Sequence, residues 1–132
     1  DSDVVSGKLS VAGYSALMGR LAGEFGFKAV AVSLRESLSA SDNNWSALLY
    51  SGGEVYESKK YGIHIVDRVG GGDSFASGMI YAMLNDYAPQ DAVEFAVAAS
   101  CLKHSIEYDF NLSTPEEVLA LARGDGSGRI SR

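Results

Sequence analysis

The segment Val66-Asp67-Arg68-Val69-Gly70-Gly71-Gly72-Asp73-Ser74-Phe75 leads from a β-like stretch through three glycines to an aspartate that opens an apolar helical pattern. Glycines carry no Cβ, so backbone N–H groups there can come close to a phosphate. The first turn of the following helix adds unpaired N–H donors and the positive end of the helix dipole. An anion site with a carboxylate beside it supplies the two parts that phosphoryl transfer requires. The same aspartate also suits plain helix capping, because Asp is favoured at helix N-termini. Three glycines exceed what a cap or a tight turn needs, yet so short a motif leaves both readings open.

Elements that could position this segment are legible on either side of it. Val11, Tyr14, Leu17, Met18, Leu21 and Phe25 recur at helical spacing with Gly26 behind them, which predicts a helix from about Ser10 to Phe25. Lys28 to Leu34 is short, apolar and rich in β-branched residues, as a buried strand is. From Arg35 to Asn44 polar residues dominate and a long loop is expected. Trp45 to Tyr50 and Glu54 to Ser58 flank Ser51-Gly52-Gly53, the pattern of a hairpin, and a strand over about Gly62 to Val66 delivers the chain to the glycines. Phe75, Met79, Ile80, Met83 and Leu84 mark one face of the next helix, ending near Asn85 or Asp86. Pro89-Gln90-Asp91 opens a helix whose small residues, Ala92, Ala96, Ala98, Ala99 and Ser100, would admit a second helix or a flat ligand, with packing the plainer reason. Thr114-Pro115-Glu116-Glu117 combines a capping hydroxyl, proline at the first helical position and an early glutamate, so a short helix to about Ala122 follows. Beyond it the glycine-rich run from Gly124 has little to bury, and residues 124–132 are expected to be a flexible tail.

Composition bounds the function. With 46% hydrophobic and 21% charged residues over 132 positions, the chain can form a core. A formal net charge of -6 argues against general nucleic-acid binding, which depends on Lys and Arg neutralising phosphates, while a local nest of N–H groups still admits a small anion. Cys101 is the only cysteine, which excludes an internal disulfide and a thiolate zinc cluster and fits a reducing compartment, so a cytoplasmic protein is expected. No charged-then-apolar leader opens the sequence, and no apolar run approaches the length of a membrane span. His64 and His104 lack metal-ligand spacing and read as ordinary strand and helix-end residues.

Asp67-Arg68-Val69-Gly70-Gly71-Gly72-Asp73-Ser74-Phe75-Ala76-Ser77-Gly78 resembles the C-terminal signature of ribokinase-like (PfkB) carbohydrate kinases, D-x-x-G-A-G-D-x-F-x-x-G, with Gly71 in place of the alanine. The resemblance continues through Ala98-Ala99-Ser100-Cys101-Leu102-Lys103-His104 to Asp109-Phe110-Asn111, and the Arg of D-R-V-G together with that ending is similar to 2-keto-3-deoxygluconate kinases. It implies an α/β three-layer sandwich of ribokinase-like fold, with a mostly parallel sheet and a β-hairpin. Residues 1–123 then form the C-terminal portion of the full domain, its nucleotide and phosphoryl-transfer half.

The resemblance also implies roles. Asp73 is the catalytic base that takes the sugar hydroxyl proton, and Gly70, Gly71 and Gly72 form the anion hole, Gly70 and Gly72 also touching nucleotide. Asp109, and Arg68 by its charge, would meet the sugar acid, though Asp109 equally suits an Asx turn and Arg68 a surface ion pair. Ser33, Leu34 and Arg35 follow a strand end where the nucleotide loop begins, in line with ligands lying beyond strand carboxyl ends, and a plain strand exit would look the same. Asp67 and Val69 match oxygen ligands of a monovalent cation such as K⁺ in some relatives.

The implied cofactors are ATP and Mg²⁺, the implied partners a small sugar acid and ATP, with neither nucleic acid nor membrane. A homo-oligomer would use a lid that these residues lack. The sugar-binding strands and an upstream N-x-x-E element are also unmatched, and no Walker motif occurs, so the isolated chain is expected to be inactive. The alternatives are a fructokinase or another sugar kinase and, from a different class, a noncatalytic nucleotide or sugar-phosphate binding fragment.

Overall fold

The structure is a computed structural model describing residues 11–64, 71–104 and 114–124. Helix α1 (Val11–Phe25) precedes four strands, β1 (Ala29–Ser37), β2 (Asp42–Ser51), β3 (Glu54–Glu57) and β4 (Tyr61–His64). Helices α2 (Gly71–Leu84), α3 (Pro89–His104) and α4 (Pro115–Ala122) follow. Strand β2 is central. β1 pairs along one of its edges, while β3 and β4 share the other, β3 opposite Leu48 to Ser51 and β4 opposite Asp42 to Trp45.

Alternation along β2 sorts the core into two faces, because neighbouring residues point to opposite sides of a sheet and directly paired residues share a side. Trp45, Ala47 and Leu49, with Tyr61 and Ile63 of β4, meet Val93, Ala96, Val97 and Cys101 of α3 in the larger cluster. Leu48 and, on β1, Leu34 meet Met18 of α1 on the other side. The order is therefore helix, sheet, helix, the three layers expected, with β2 buried on both faces. Helix α2 stands against α3 rather than directly on the sheet: a Cβ placed on Gly78 would lie 3.1 Å from Ala96 Cα and 3.2 Å from Ala99 Cβ. The small residues of α3 thus serve close helix packing.

Local signals explain most element boundaries. Gly52 and Gly53 turn the β2–β3 hairpin at φ 60° and 87°, values that L side chains rarely adopt, and Gly26 ends α1 at φ 70°. At α4, the Thr114 hydroxyl accepts a hydrogen bond from Glu117 N at 3.2 Å, with Pro115 opening the helix. Lys59 Nζ donates to the Ala122 carbonyl at the other end of α4, and Glu94 Oε1 accepts from Lys59 N at 2.8 Å, tying α3, α4 and the β3–β4 link together.

Three expectations need correction. The polar run from Arg35 to Asn44 is a hairpin rather than a long loop: β1 continues to Ser37 and β2 begins at Asp42. Its polar residues are cross-strand partners, Asn44 Nδ2 donating to Glu36 Oε1 at 2.7 Å and Ser37 Oγ to Asn43 Oδ1 at 3.2 Å, while Leu38 N and Ser39 N bond Asp42 O across the turn. In place of a mostly parallel sheet, every pairing among the described residues is antiparallel. Connections this short cannot make the crossover that a parallel pair needs. Finally, the inward face of α2 is Phe75, Gly78, Met79 and Ala82, whereas Ile80, Met83 and Leu84 point outward, Leu84 being 78% exposed. On α1, Met18 and Ala22 are buried while Val11, Leu17 and Phe25 are exposed. Val66 and residues 125–132 of the expected tail lie outside the described residues.

The tight α2–α3 contact gives an expected outcome. Gly78→Val should lower unfolding stability by about 1–3 kcal/mol through overpacking, and Gly78→Ala by less, because a single methyl asks its neighbours to give only slightly. Urea midpoints read by circular dichroism check this, and an unchanged Gly78→Val midpoint would contradict the packing.

Candidate active site

The described part of the glycine turn is the opening of α2. Gly71, Gly72 and Asp73 are its first three residues, and Asp73 is the acid of its first turn. The N–H groups of such a turn have no acceptor within their own helix. Asp73 therefore sits inside the helix start, beyond the capping position, with its side chain toward solvent. Gly72 is likewise exposed, and a Cβ built on it would meet nothing within 4 Å. A ligand approaching along that direction finds open space beside a carboxylate and the positive end of α2.

Gly71 differs. It is buried, and a Cβ on it would fall 2.5 Å from Cε1 and 2.7 Å from Nε2 of His104, the last residue of α3. The direction a side chain would take at Gly71 is filled by the protein itself, so the missing Cβ at this position makes room for His104. Ser100 Oγ donates to the Gly71 carbonyl at 2.9 Å, and His104 Nδ1 meets the Ser100 carbonyl at 2.7 Å, which makes Nδ1 the donor. The Trp45 ring packs against the His104 ring with centroids 4.6 Å apart. In the sequence alone His104 is an ordinary helix-end residue. No spacing rule joins it to Gly71, because the contact arises only when α2 folds back on α3.

Ser33, Leu34 and Arg35 are not at a strand end. They lie within β1, opposite Ala47, Ser46 and Trp45 of β2. Leu34 is 4% exposed in the core beneath α1, so it faces away from the site and is unavailable to a nucleotide. Ser33 and Arg35 share the face of Ala47 and Trp45, the face that carries His104 and hence the α2 turn. Asp67, Arg68, Val69 and Gly70, together with Asp109, lie outside the described residues. His64 is exposed and pairs with Asp42, Nδ1 to Oδ1 at 2.9 Å, a contact that pulls the Asp42 carboxyl below its ordinary value. Among the described residues no group of three or more His, Cys, Asp or Glu side chains could hold a metal ion, and no helix is long and apolar enough to cross a membrane.

A cavity of about 460 Å³ lies between the α2–α3 link, the first turns of α3 and α4, lined by residues that include Asp86, Asp91, Glu94 and Arg123. It is at the far end of α2 from Asp73, and a smaller one, lined by Ala29, Leu49, Met83 and Tyr87 among others, is at that end too. Both are therefore remote from the α2 turn and its carboxylate.

An α/β/α layering that presents a glycine turn and an acid at a helix N-terminus belongs to the class of folds that can receive an anion at a helix start, and comparison with known proteins narrows it. Residues 43–108 match the model of the pfkB family of carbohydrate kinases, and the chain belongs to that family. It is 30% identical over 112 residues to 2-dehydro-3-deoxygalactonokinase of Haloferax volcanii, an alignment covering 85% of this chain and 33% of that protein. Among solved structures, 2-dehydro-3-deoxygluconokinase of Thermotoga maritima superposes with a TM-score of 0.85 at 44% identity, covering 87% of this chain and 35% of that one. A PfkB family carbohydrate kinase of Listeria grayi gives 0.77 at 32% identity over the same shares. The chain thus spans about a third of the length of the relatives it matches.

Cys101 is the one thiol of the sequence and lies in α3 one turn before His104. It is fully buried, and burial pushes its ionisation well above that of a free thiol. Thiol reagents should therefore leave the folded protein untouched and label Cys101 only as it unfolds, so the labelling amplitude over a urea series should track the circular-dichroism transition. Fast stoichiometric labelling in plain buffer would show that α3 is not the closed core helix described.

Proposed function

We propose that this chain forms the phosphoryl-transfer part of an ATP-dependent carbohydrate kinase acting on a sugar acid, 2-keto-3-deoxygluconate. The observation that carries the reading is the exposed Asp73 in the first turn of α2, beside a Gly72 whose missing side chain leaves open space. Family membership and the names of the matched kinases support it.

The chemistry follows from that placement. A hydroxyl oxygen of the sugar attacks the γ-phosphorus of ATP, the bond from that phosphorus to the oxygen bridging toward ADP breaks, and the hydroxyl proton passes to the Asp73 carboxylate. In a loose transition state the nucleophile needs little prior deprotonation, so the carboxylate orients the hydroxyl and accepts its proton late. In this reading Gly70, Gly71 and Gly72 supply the anion hole, since backbone donors oriented in advance toward the charge that collects on the transferring group cost no reorganisation at the moment of reaction. Bound Mg²⁺ would supply charge neutralisation across the phosphates, which suits an ion that keeps phosphate oxygens and waters as ligands instead of requiring a protein cage. In this reading Ser33 and Arg35 border the nucleotide, Asp109 and Arg68 the sugar acid, and Asp67 and Val69 a monovalent cation, in a cytoplasmic enzyme.

The outward apolar row of α2, Ile80, Met83 and Leu84, fits a surface covered by the remainder of a kinase domain about three times this length. Turnover accordingly belongs to the full-length protein, and the isolated chain should show little. In the full-length protein, Asp73→Asn should lower kcat with Mg-ATP and 2-keto-3-deoxygluconate by roughly 10²–10⁴-fold, the usual contribution of a positioned base, while nucleotide binding by calorimetry changes little. Near-normal turnover of that variant would remove Asp73 from the mechanism, and absence of any turnover in the native protein beside retained nucleotide affinity would favour a binding fragment.

A further inference from the structure

The His104 ring is fixed from three sides. Its Nδ1 donates to the Ser100 carbonyl at 2.7 Å, the Trp45 ring packs on it at a 55° tilt, and its Cε1 and Nε2 edge fills the place where a Cβ on Gly71 would stand. Ring, indole and hydroxyl are almost wholly removed from solvent, His104 at 3%, Trp45 at 8% and Ser100 at 0% exposure. A histidine used merely to fill space would not dictate the residue type of another helix, but this one does: even a methyl on Gly71 would come within 2.5 Å of the ring. The Gly71 peptide is held on a second side, through its carbonyl, by Ser100 Oγ at 2.9 Å. Two residues farther on is Asp73, exposed and bearing no comparable anchor of its own among the contacts described.

We propose that His104 is a positioning residue for the phosphoryl-transfer turn: wedged beneath Gly71 and tied to Ser100 and Trp45, it fixes the direction in which the first turn of α2 presents Gly72 and Asp73. The proposal rests on the reading of that turn as an anion site with a base beside it. It also accounts for glycine at the one position where the signature stretch departs from D-x-x-G-A-G-D, since the ring occupies the volume the alanine methyl would need. The coupling is reciprocal. A smaller side chain at 104 frees that volume, and a methyl at 71 pushes the ring out or the turn forward.

A double-substitution cycle in the full-length protein tests this, with kcat and KM for Mg-ATP and for 2-keto-3-deoxygluconate read separately from the urea midpoint. Gly71→Ala alone should lower kcat at least tenfold with KM for the sugar changed less than threefold, because the turn still forms but is misaimed. His104→Asn keeps an N–H donor for the Ser100 carbonyl and removes the Cε1 and Nε2 edge. The pair G71A/H104N should therefore recover at least threefold in kcat over G71A and regain its lost midpoint, while G71A/H64A, altered at an exposed strand histidine, should recover neither. If G71A does not fold, the recovered fold of G71A/H104N makes the same point, and failure of both to fold overturns the wedge. Equal kcat for native protein and folded G71A would overturn the positioning role even if the midpoints are coupled. Asp73→Asn in the same assay keeps the two ideas apart: turnover surviving in that variant sinks the base assignment, whereas the midpoint cycle reports on the wedge without reference to activity.

Discussion

Helix α2 touches the sheet hardly at all, so its place is set by α3. Two points define that relation, Gly78 against Ala96 and Ala99 near its middle and Gly71 against His104 at its start. Close-packed interiors do not deform smoothly, and a helix pinned at both points has little freedom to slide or roll. Helix α3 is itself held by the sheet through the Trp45, Tyr61 and Ile63 face and by α4 on its outer side, where Val118 closes the same cluster. The direction of the N–H donors at the start of α2 is therefore inherited, through two helices, from the register of β2.

The glycine run is composite. Gly72 leaves open space on the outside and Gly71 makes room for the His104 ring on the inside, so adjacent glycines of one signature meet different surroundings. Such a division is invisible in a linear motif, where adjacent glycines look interchangeable. It also means that substitutions along the run should differ in kind. A side chain at Gly72 extends into open space, whereas one at Gly71 displaces the His104 ring.

Features fixed by short-range chemistry are legible in the sequence. The Ser51-Gly52-Gly53 turn, the Thr114 cap and the glycine that ends α1 each depend on one or two residues adopting a conformation that few others tolerate, and each is present where the residues indicate. The polar stretch from Arg35 to Asn44 defies that logic, because Glu36 and Asn44, or Ser37 and Asn43, look like loop residues until a partner strand places them opposite one another. The inward faces of α1 and α2 are hidden for a related reason: an apolar residue counts as core wherever it falls on the stripe, and Ile80, Met83 and Leu84 are apolar yet outward. Asp73 is identifiable from its immediate neighbours, whereas His104 depends on a tertiary contact and carries no signal of its own.

Net charge bears on the proposed function, which asks an acidic chain to hold a tetra-anionic nucleotide. A formal charge of -6 spread over the molecule acts at distances where physiological salt screens it, the Debye length being about 8 Å at 0.15 M. Backbone N–H groups act on a phosphate oxygen at about 3 Å, where screening is negligible and the donors are already oriented. For the anion site proposed at the helix start, the local field would thus decide binding, and the sign of the whole surface would matter chiefly for the rate of encounter. Under the positioning role proposed for His104 the turn is aimed by close internal packing, which keeps its geometry whatever the ionic strength. If the proposed function holds, salt acts on how fast the nucleotide arrives more than on how the turn receives it.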